Sequence, residues 1–521
     1  MNDKLQTLNS CNDFSPKIAA ILFWSLSIFF AALWVILPAL FHSAYRMRDV
    51  IELQCIAPEW ILSTQKHPML SAWLLGLVNI FTNKHFVSPF IASQICVLIS
   101  LWSVWQLGRR VLSEKLALLG VLAVLPYYFF SYHSLVYNPN MVLIAFWTLS
   151  VYLVFQAIQT NRILYWVLSG ISIGIAFHAK YPAALLVFSM LIFMFSRPET
   201  RKQWRGIGPY LTTIIAILIF LPHIIWLYQR DFITLFYANY RFVYSNQIYR
   251  LLLPSAFTAY QIQYLITTVI VLFPALGFVW QWRFKQIDNN DQKRCADYLF
   301  YCFMIPFLIC IIISATKNTW LSVSYAAPFW TYFGVWLLLK FKSKELPTTL
   351  FRSIKLVIVL EVVMVILLVC GVIAPHIDGK PKKQLFATKE FGVACDRIWA
   401  SRFDVPVAYV TGDWSICGYA CYAMSGNPRL HFFWNIYDGG ISDMNATPTG
   451  LWSTDDDLNQ KGGMIVWNLS EKNHPNNYVP DWVHKRFPNA EVIHKPIILP
   501  YKTRVKIPPV KIGVAVIPPK K

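Results

Sequence analysis

Nearly uncharged apolar runs of about 20 residues recur from the start of the chain to about residue 377, and a bilayer core needs about that many per helix. This pattern predicts a polytopic α-helical membrane protein. The predicted spans are residues 18–41, 86–108, 116–132, 141–159, 163–179, 181–196, 208–228, 257–280, 298–315, 319–339 and 353–375. They number eleven, or up to thirteen if the segments around 116–196 divide differently. Leu70–Phe81 is too short to span and is expected to be re-entrant or interfacial.

Composition supports the membrane interpretation. Only 14% of the residues are charged, whereas a soluble domain carries about a quarter, so a soluble globular enzyme is excluded. The net charge of +20 would suggest nucleic acid in a soluble protein. In a membrane protein, excess Lys and Arg instead collect in cytoplasmic loops. Membrane lipids, and no nucleic acid, are therefore the expected partners.

The loop charges predict an orientation. The N-terminus and every second connection hold 19 Lys and Arg, against 9 in the other connections. The positive-inside tendency then places the N-terminus in the cytoplasm. Residues 42–85, 229–256 and 316–318 and the C-terminal tail are expected outside. Ile18–Phe41 is interpreted as the first span, since it is too long for a signal peptide and lacks a small-residue cleavage site.

The composition changes beyond about His376, where Gly, Pro and Asp clusters alternate with short apolar runs. This pattern is typical of a small α/β domain. We therefore divide the chain into a membrane domain, 1–375, with its first outer loop at 42–85, and an α/β domain expected on the same outer side, 376–521. Four cysteines would meet an oxidising compartment: Cys55, Cys395, Cys417 and Cys421. A disulfide between two of the last three is left open.

The first outer loop carries two carboxylates, Asp49 and Glu52. If this segment is helical, the i,i+3 spacing puts both on one face, near the membrane surface. A carboxylate there can accept a proton from a hydroxyl nucleophile. The alternative is that both are solvated loop charges paired with Arg46 or Arg48.

Basic residues near the outer ends of spans form a second set: Lys66, Lys180, Arg230, Arg241, Arg250 and Lys317. Such residues can bind the phosphate of a membrane lipid, or they can snorkel from helix ends. No histidine spacing predicts a metal site. A divalent cation held by Asp49, Glu52 and a donor phosphate is left open. Glu361, inside the last span, is expected to snorkel or to pair between helices.

Several segments in order resemble those of bacterial membrane glycosyltransferases of the GT-C fold, the family 39 and aminoarabinose-transferase-like group that uses polyprenyl-phosphate sugars. The matching segments are Asp49-x-x-Glu52, His67-Pro68-Met69-Leu70-x-x-Trp73-Leu74, Tyr137-Asn138, Gly170 to Lys180-Tyr181, Pro222 to Trp226 with Asp231-Phe232, Lys317 to Trp320, and Tyr325-x-x-Pro328. The resemblance covers roughly residues 18–340 and, more loosely, the tail.

The resemblance implies that a sugar moves from undecaprenyl phosphate to lipid A, lipopolysaccharide or another envelope glycan, outside the bacterial inner membrane. Asp49 would be the catalytic base or orient the acceptor, with Glu52 as its partner. The residues implied to hold the donor phosphate are Lys180, Tyr181, Arg241, Lys317 and Tyr325. Lys66 and His67 would lie in a donor or acceptor loop.

Two departures leave the substrates open. Aminoarabinose transferases tend to carry Glu-Lys-Pro-Pro where this chain has Lys66-His67-Pro68-Met69, which leaves the sugar undetermined. The adjacent paired acids of protein mannosyltransferases are replaced here by Asp-x-x-Glu, which weakens the interpretation that the acceptor is a protein. The alternatives to an envelope glycosyltransferase are a lipid or glycan transporter or flippase, a protein O-glycosyltransferase, and a non-catalytic scaffold.

Overall fold

The computed structural model describes residues 15–42, 44, 48–64, 66–235, 250–344, 347–378, 383–431, 453–470, 475, 477–503 and 506–520. Helices dominate up to residue 378. They are α1 Pro16–Phe41, α2 Arg48–Ile56, α3 Leu70–Thr82, α4 Ser88–Val111, α5 Glu114–Val124, α6 Pro139–Thr160, α7 Ile163–Ala179, α8 Ala183–Ser196, α9 Pro198–Arg201, α10 Gly208–Gln229, α11 Leu252–Leu276, α12 Asn290–Lys317, α13 Phe333–Lys340 and α14 Pro347–Asp378.

Seven of the described helices are long and apolar enough to cross a membrane: α1, α4, α6, α10, α11, α12 and α14. An eighth span results if Ala183–Ser196 and Pro198–Arg205, which meet at a bend of 104°, count together. These segments correspond to eight of the expected spans, and the chain is a multi-pass membrane protein.

Three expected spans are shorter or broken. The run 116–132 stops being helical after Val124, because Pro126 cannot donate the next backbone hydrogen bond. The run 163–179 forms an apolar helix of 17 residues. The run 319–339 consists of the 3₁₀ turns Val323–Ala326 and Phe329–Tyr332, followed by α13. The expectation of one continuous helix in the first and third runs was wrong, and the total of eleven to thirteen spans stays a prediction.

Two glycines let α7 and α10 pack closely. A β-carbon at Gly170 would lie 2.7 Å from the carbonyl oxygen of Thr212, and one at Gly174 would lie 2.8 Å from Cβ of Ile219. Small residues allow such close backbone approach between membrane helices. The close packing places the C-terminal end of α7, where Lys180 follows, beside α10.

The expected intramembrane acid lies between helices. Glu361 of α14 is buried, and its Oε2 accepts a hydrogen bond of 2.9 Å from Nε1 of Trp34 in α1. The expected pairing between helices is confirmed, and the alternative of snorkelling was wrong.

The C-terminal region is an α/β domain, as expected. Its strands are β1 Tyr409–Gly412, β2 Arg429–Leu430, β3 Gly463–Asn468, β4 Glu491–Leu499 and β5 Val510–Ile517, and its helices are α15 Thr388–Ala400, α16 Trp414–Ala423, α17 Asp455–Lys461 and α18 Asp481–Arg486. The sheet order is β2-β1-β3-β5-β4. Strand β1 is parallel to both β2 and β3, whereas β5 is antiparallel to β3 and β4. The domain boundary at residue 375 stays a prediction.

One hydrophobic cluster joins this domain to the first outer loop. Val50 and Ile51 of α2 pack with Ile416, Cys417 and Ala420 of α16. Apolar burial of this kind holds two elements in a fixed relation. The helix that carries Asp49 and Glu52 is therefore held partly by the C-terminal domain.

Candidate active site

The two carboxylates Asp49 and Glu52 occupy different environments on α2. Asp49 lies exposed in the first turn, where the helix dipole favours a negative charge. Glu52, one turn later, is buried. The segment is helical, as the i,i+3 interpretation requires, but the two carboxylates differ in exposure, since Asp49 is exposed and Glu52 is buried. Arg46 lies outside the described residues, as does the side chain of Arg48.

Glu52 forms a buried ion pair with Lys66. The Lys66 Nζ lies 2.7 and 2.6 Å from the two carboxylate oxygens, and the two side chains are only 13% and 10% exposed. Burial raises the pKa of Glu52 above its usual value, and the nearby charge of Asp49 raises it further. The attraction of Lys66 acts in the opposite direction without reversing the shift. The alternative of two solvated loop charges therefore fails for Glu52.

A tight loop presents Lys66 and His67. Ser63 and Pro68 form an isolated antiparallel bridge, and the carbonyl of His67 accepts from the backbone N–H of Thr64 at 3.3 Å and from Oγ of Ser63 at 3.1 Å. These bonds close the loop so that it leads directly into α3.

His67 is held in the neutral form. Burial lowers its pKa to about 3, and the charges of Lys180 and Lys66 contribute to the decrease. Both ammonium groups therefore lie close enough to act on the same imidazole ring. Trp73 of α3, which follows this loop, lies 5.7 Å from His178 near the end of α7, measured between ring centres.

Lys180 joins three distant segments. It ends α7 with extended backbone, and its Nζ donates to Oδ1 of Asn140 at 2.7 Å. The same Nζ lies 4.7 Å from the ring centre of Tyr325, a cation–π distance. Asn140 in turn donates to Oγ of Ser324 at 3.3 Å. The start of α6, the end of α7 and the turn around Tyr325 therefore converge on one ammonium group.

Tyr181 points in another direction. Its hydroxyl lies 2.8 Å from Nε2 of His223 in α10. This bond connects the turn after α7 to α10. Although Tyr181 follows Lys180 directly in sequence, the two side chains therefore have different partners.

Of the other expected phosphate-binding residues, one lies apart from this group and one cannot be compared with it. Lys317 is an exposed residue in the last turn of α12, and the described contacts do not join it to Lys180. Arg241 lies outside the described residues. Conversely, sequence reasoning missed Asn140 and Ser324. Asn140 lies two residues after the matched Tyr137-Asn138 segment and could have been flagged by that position.

Within the described residues, no group of three or more His, Cys, Asp or Glu side chains is arranged to hold a metal ion. The described site instead offers an exposed carboxylate, a buried carboxylate–ammonium pair, a neutral imidazole and a second ammonium group. Such a set can accept a proton at Asp49 and stabilise negative charge near Lys180.

Comparisons with known proteins agree with this architecture. A family model described as dolichyl-phosphate-mannose-protein mannosyltransferase matches residues 66–226. The crystal structure of ArnT from Cupriavidus metallidurans bound to undecaprenyl phosphate is similar, with a TM-score of 0.54 at 12% identity, over 96% of this chain and 98% of that chain. The apo structure of the same protein gives a TM-score of 0.51 at 12% identity, over 95% and 97%. No curated protein matches. This multi-pass membrane protein therefore has the GT-C fold seen in ArnT.

Proposed function

We propose that the chain is a membrane glycosyltransferase that moves a sugar from undecaprenyl phosphate to lipid A, lipopolysaccharide or another envelope glycan. The observation that carries the proposal is the convergence of Glu52, Lys66, His67, Lys180 and Tyr325 beside the exposed carboxylate of Asp49. These residues come from four separate segments, and no local pattern requires them to meet. The ArnT structure with undecaprenyl phosphate and the mannosyltransferase family model support the same donor class.

The proposed orientation follows from the loop charges. It places the N-terminus in the cytoplasm, and α2 and the C-terminal domain on the periplasmic side of the inner membrane. In this orientation the protein binds polyprenyl-linked sugars at the outer leaflet of the inner membrane, next to α2.

The proposed mechanism assigns the donor phosphate to the ammonium end of the site. When the acceptor attacks the anomeric carbon, the sugar–phosphate bond breaks and negative charge grows on the leaving phosphate. Lys180, aimed by Asn140 and Tyr325, stabilises that charge, as preorganised donors do in a site of restricted solvent access. Tyr181, Arg241 and Lys317 remain proposed as further phosphate contacts.

Asp49 is proposed to act on the acceptor. Its exposed carboxylate is available to an incoming hydroxyl, from which it accepts a proton as the bond to the sugar forms. Glu52 and Lys66 fill the space behind it as a buried pair. We propose that this pair orients the start of α2 and leaves His67 facing the donor side.

Mass spectrometry of lipid A and lipopolysaccharide tests the proposal in cells with and without the protein. Wild type is expected to add a sugar-sized mass, and Asp49→Asn at equal expression is expected to lose it by about 100-fold or more. The matched control is Asp404→Asn, which changes an exposed acid of the C-terminal domain and is expected to behave as wild type.

Full activity of Asp49→Asn would refute the base assignment. An envelope that is unchanged by the protein, despite its presence in the membrane, would refute these acceptors. If unmodified polyprenyl lipid instead moved between leaflets in reconstituted vesicles, a transporter would replace the transferase.

A further inference from the structure

The segment between α11 and α12 is fixed against the end of α13. Phe284 and Phe341 form an isolated antiparallel bridge, and their rings stack with 4.9 Å between centres. Three backbone hydrogen bonds of 2.8 to 2.9 Å support the bridge, in which the N–H groups of Lys285, Lys342 and Lys344 donate to the carbonyls of Lys340, Arg283 and Ala275. We call residues 277–285 together with 340–344 the aromatic platform.

Bulky apolar side chains on the platform are exposed. The exposed fractions are 48% for Phe278, 74% for Trp280 and 75% for Phe284. The rings of Phe278 and Trp280 stack at 4.5 Å with nearly parallel planes, so they present one continuous aromatic surface. Apolar surface of this size is costly to leave in water, whereas Trp is enriched where a membrane meets water. The surface therefore fits the boundary of a bilayer.

Positive charge accompanies the aromatic rings. The platform holds five Lys and Arg residues and no Asp or Glu, and the nearest acids in sequence are Asp288 and Glu345. Four of the five basic side chains are exposed: Arg283, Lys285, Lys342 and Lys344. Exposed ammonium and guanidinium groups bind phosphate oxygens. The platform thus combines an apolar surface with groups that bind phosphate.

The extended backbone sorts these groups onto two faces. Successive side chains of a strand point to opposite faces, so Arg283 and Lys285 lie opposite to Phe284. Phe341 shares a face with Phe284, because the two are directly paired, and Lys342 therefore lies on the face of Arg283. Amphipathic elements of this kind lie in the plane of a membrane surface, with the apolar face toward the acyl chains and the cations toward the head groups.

The platform and the C-terminal domain lie at opposite ends of α14. Lys344 lies just before the first residue of this helix, Pro347, and the C-terminal domain follows its last residue, Asp378. The helix has 32 residues and is therefore about 48 Å long. This length exceeds the apolar thickness of a bilayer, which is about 30 Å. The platform is therefore at the membrane surface that faces away from the C-terminal domain, which is the cytoplasmic leaflet in the orientation proposed above.

We propose that the aromatic platform binds anionic phospholipids of this leaflet. Its exposed rings insert between the acyl chains, and its exposed cations bind the phosphates of the head groups. Two observations favour lipid over a protein partner. The platform begins where the candidate span α11 ends, so it adjoins lipid already, and its charge is complementary to an anionic surface, which attracts each nearby Lys and Arg. This surface lies apart from the candidate active site and has no part in the proposed transfer.

Photo-cross-linking to lipid tests the proposal on the full chain. The photoreactive residue p-benzoylphenylalanine is introduced in place of Trp280, and the protein is reconstituted in vesicles with equal amounts of phosphatidylcholine and phosphatidylglycerol. After illumination, mass spectrometry identifies the lipid attached to the tryptic peptide 251–283. Phosphatidylglycerol adducts are expected to exceed phosphatidylcholine adducts by about fivefold or more. Salt at about 1 M is expected to remove most of this excess by screening.

Matched lysine variants locate the charge. In the platform variant, which combines Lys285→Gln, Lys342→Gln and Lys344→Gln, the two lipids are expected to react equally at position 280. The control variant changes three exposed lysines of the C-terminal domain and is expected to keep the excess: Lys389→Gln, Lys485→Gln and Lys506→Gln. A second cross-linker position, in place of the exposed Phe188 of α8, is expected to form adducts without preference in both variants.

Equal reaction of the two lipids at position 280, with all lysines present, would overturn the proposal. So would a preference that the platform variant retains. Absence of lipid adducts at position 280 while position 188 forms them would also overturn it, because the platform would then lie outside the membrane. Sugar transfer enters none of these readouts, so failure of the proposed function leaves the lipid result unchanged, and loss of the lipid preference leaves the proposed function unchanged.

Discussion

Two groups of charged residues in the membrane region use their charges differently. The α2 cluster consists of Glu52, Lys66, His67 and Lys180, and the α12 cluster consists of Arg197, Arg294, Asp297 and Lys340. In the α12 cluster, Asp297 binds Arg197 at 2.7 Å and Lys340 at 3.6 Å, with Arg197 40% exposed. In the α2 cluster, Glu52 and Lys66 are both almost fully buried.

The difference in burial supports the proposed catalytic role of the α2 cluster. A partly exposed ion pair between helices contributes about 0–1 kcal/mol to the free energy of unfolding. A buried pair must overcome the desolvation of two charges, so it is weak evidence for a stabilising role. The α2 cluster also includes Lys180, whose ammonium group contacts an amide and an aromatic ring. We propose that the burial of these charges serves the proposed function.

The largest expected effect separates the clusters by activity. Lys180→Ala is expected to reduce sugar transfer by about 100-fold or more, because the leaving phosphate loses a fixed positive charge. Arg197→Ala, in the α12 cluster, is expected to stay within about twofold of wild type. Rates of appearance of modified envelope lipid, at equal protein levels, provide the measurement. Equal losses of transfer rate in the two variants would contradict a catalytic role specific to the α2 cluster.

The second prediction concerns stability. Glu52→Ala leaves Lys66 buried without its carboxylate and is expected to cost about 3–5 kcal/mol, whereas Asp297→Ala is expected to cost about 1 kcal/mol. Thermal unfolding in detergent compares the two midpoints. The double change Glu52→Ala with Lys66→Ala should recover much of the loss. A double variant no better than the single one would show that the buried charge is not the cause.

A third, smaller effect tests how the C-terminal domain supports α2. Gly418→Ala introduces a β-carbon 2.3 Å from Ile51 and is expected to cost about 1–3 kcal/mol through overpacking. The control is Gly426→Ala, whose β-carbon would have its nearest neighbour at 3.6 Å. Ile51→Ala should relieve the clash in a double variant. Additive losses in unfolding midpoint would contradict this contact.

A fourth prediction is a dependence of stability on pH, which emerges only in acid. Because the pKa of His67 is lowered to about 3, the folded protein keeps the ring neutral while the unfolded chain takes up a proton near pH 6.5. Stability is therefore complete above about pH 6.5 and is lost as the pH falls toward 3. The unfolding midpoint of wild type should drop more steeply over this range than that of His67→Gln. Parallel curves would place His67 in a solvated setting.

Local patterns predicted much of the architecture. Long apolar runs predicted α1, α4, α6 and α14, because a hydropathy run depends only on neighbouring residues. Alternating turn residues and short apolar runs predicted the α/β tail for the same reason. The local pattern gave a wrong prediction for the run 319–339. Its apolar composition is that of a membrane-spanning helix, but two 3₁₀ turns precede the short helix α13.

The sequence by itself determined that the chain crosses a membrane repeatedly, that the composition of its tail differs from that of the membrane region, and that Asp49 and Glu52 would share one face if their segment is helical. Only the tertiary structure decided that Glu52 pairs with Lys66, that Lys180 meets Asn140 and Tyr325, and that Cys55 of α2 contacts the backbone of α16 at Gly418. Hydropathy and helical period act over neighbouring residues, whereas these contacts depend on how helices far apart in sequence pack against one another. That packing is set by close approaches such as those at Gly170 and Gly418, whose partners no local pattern reveals.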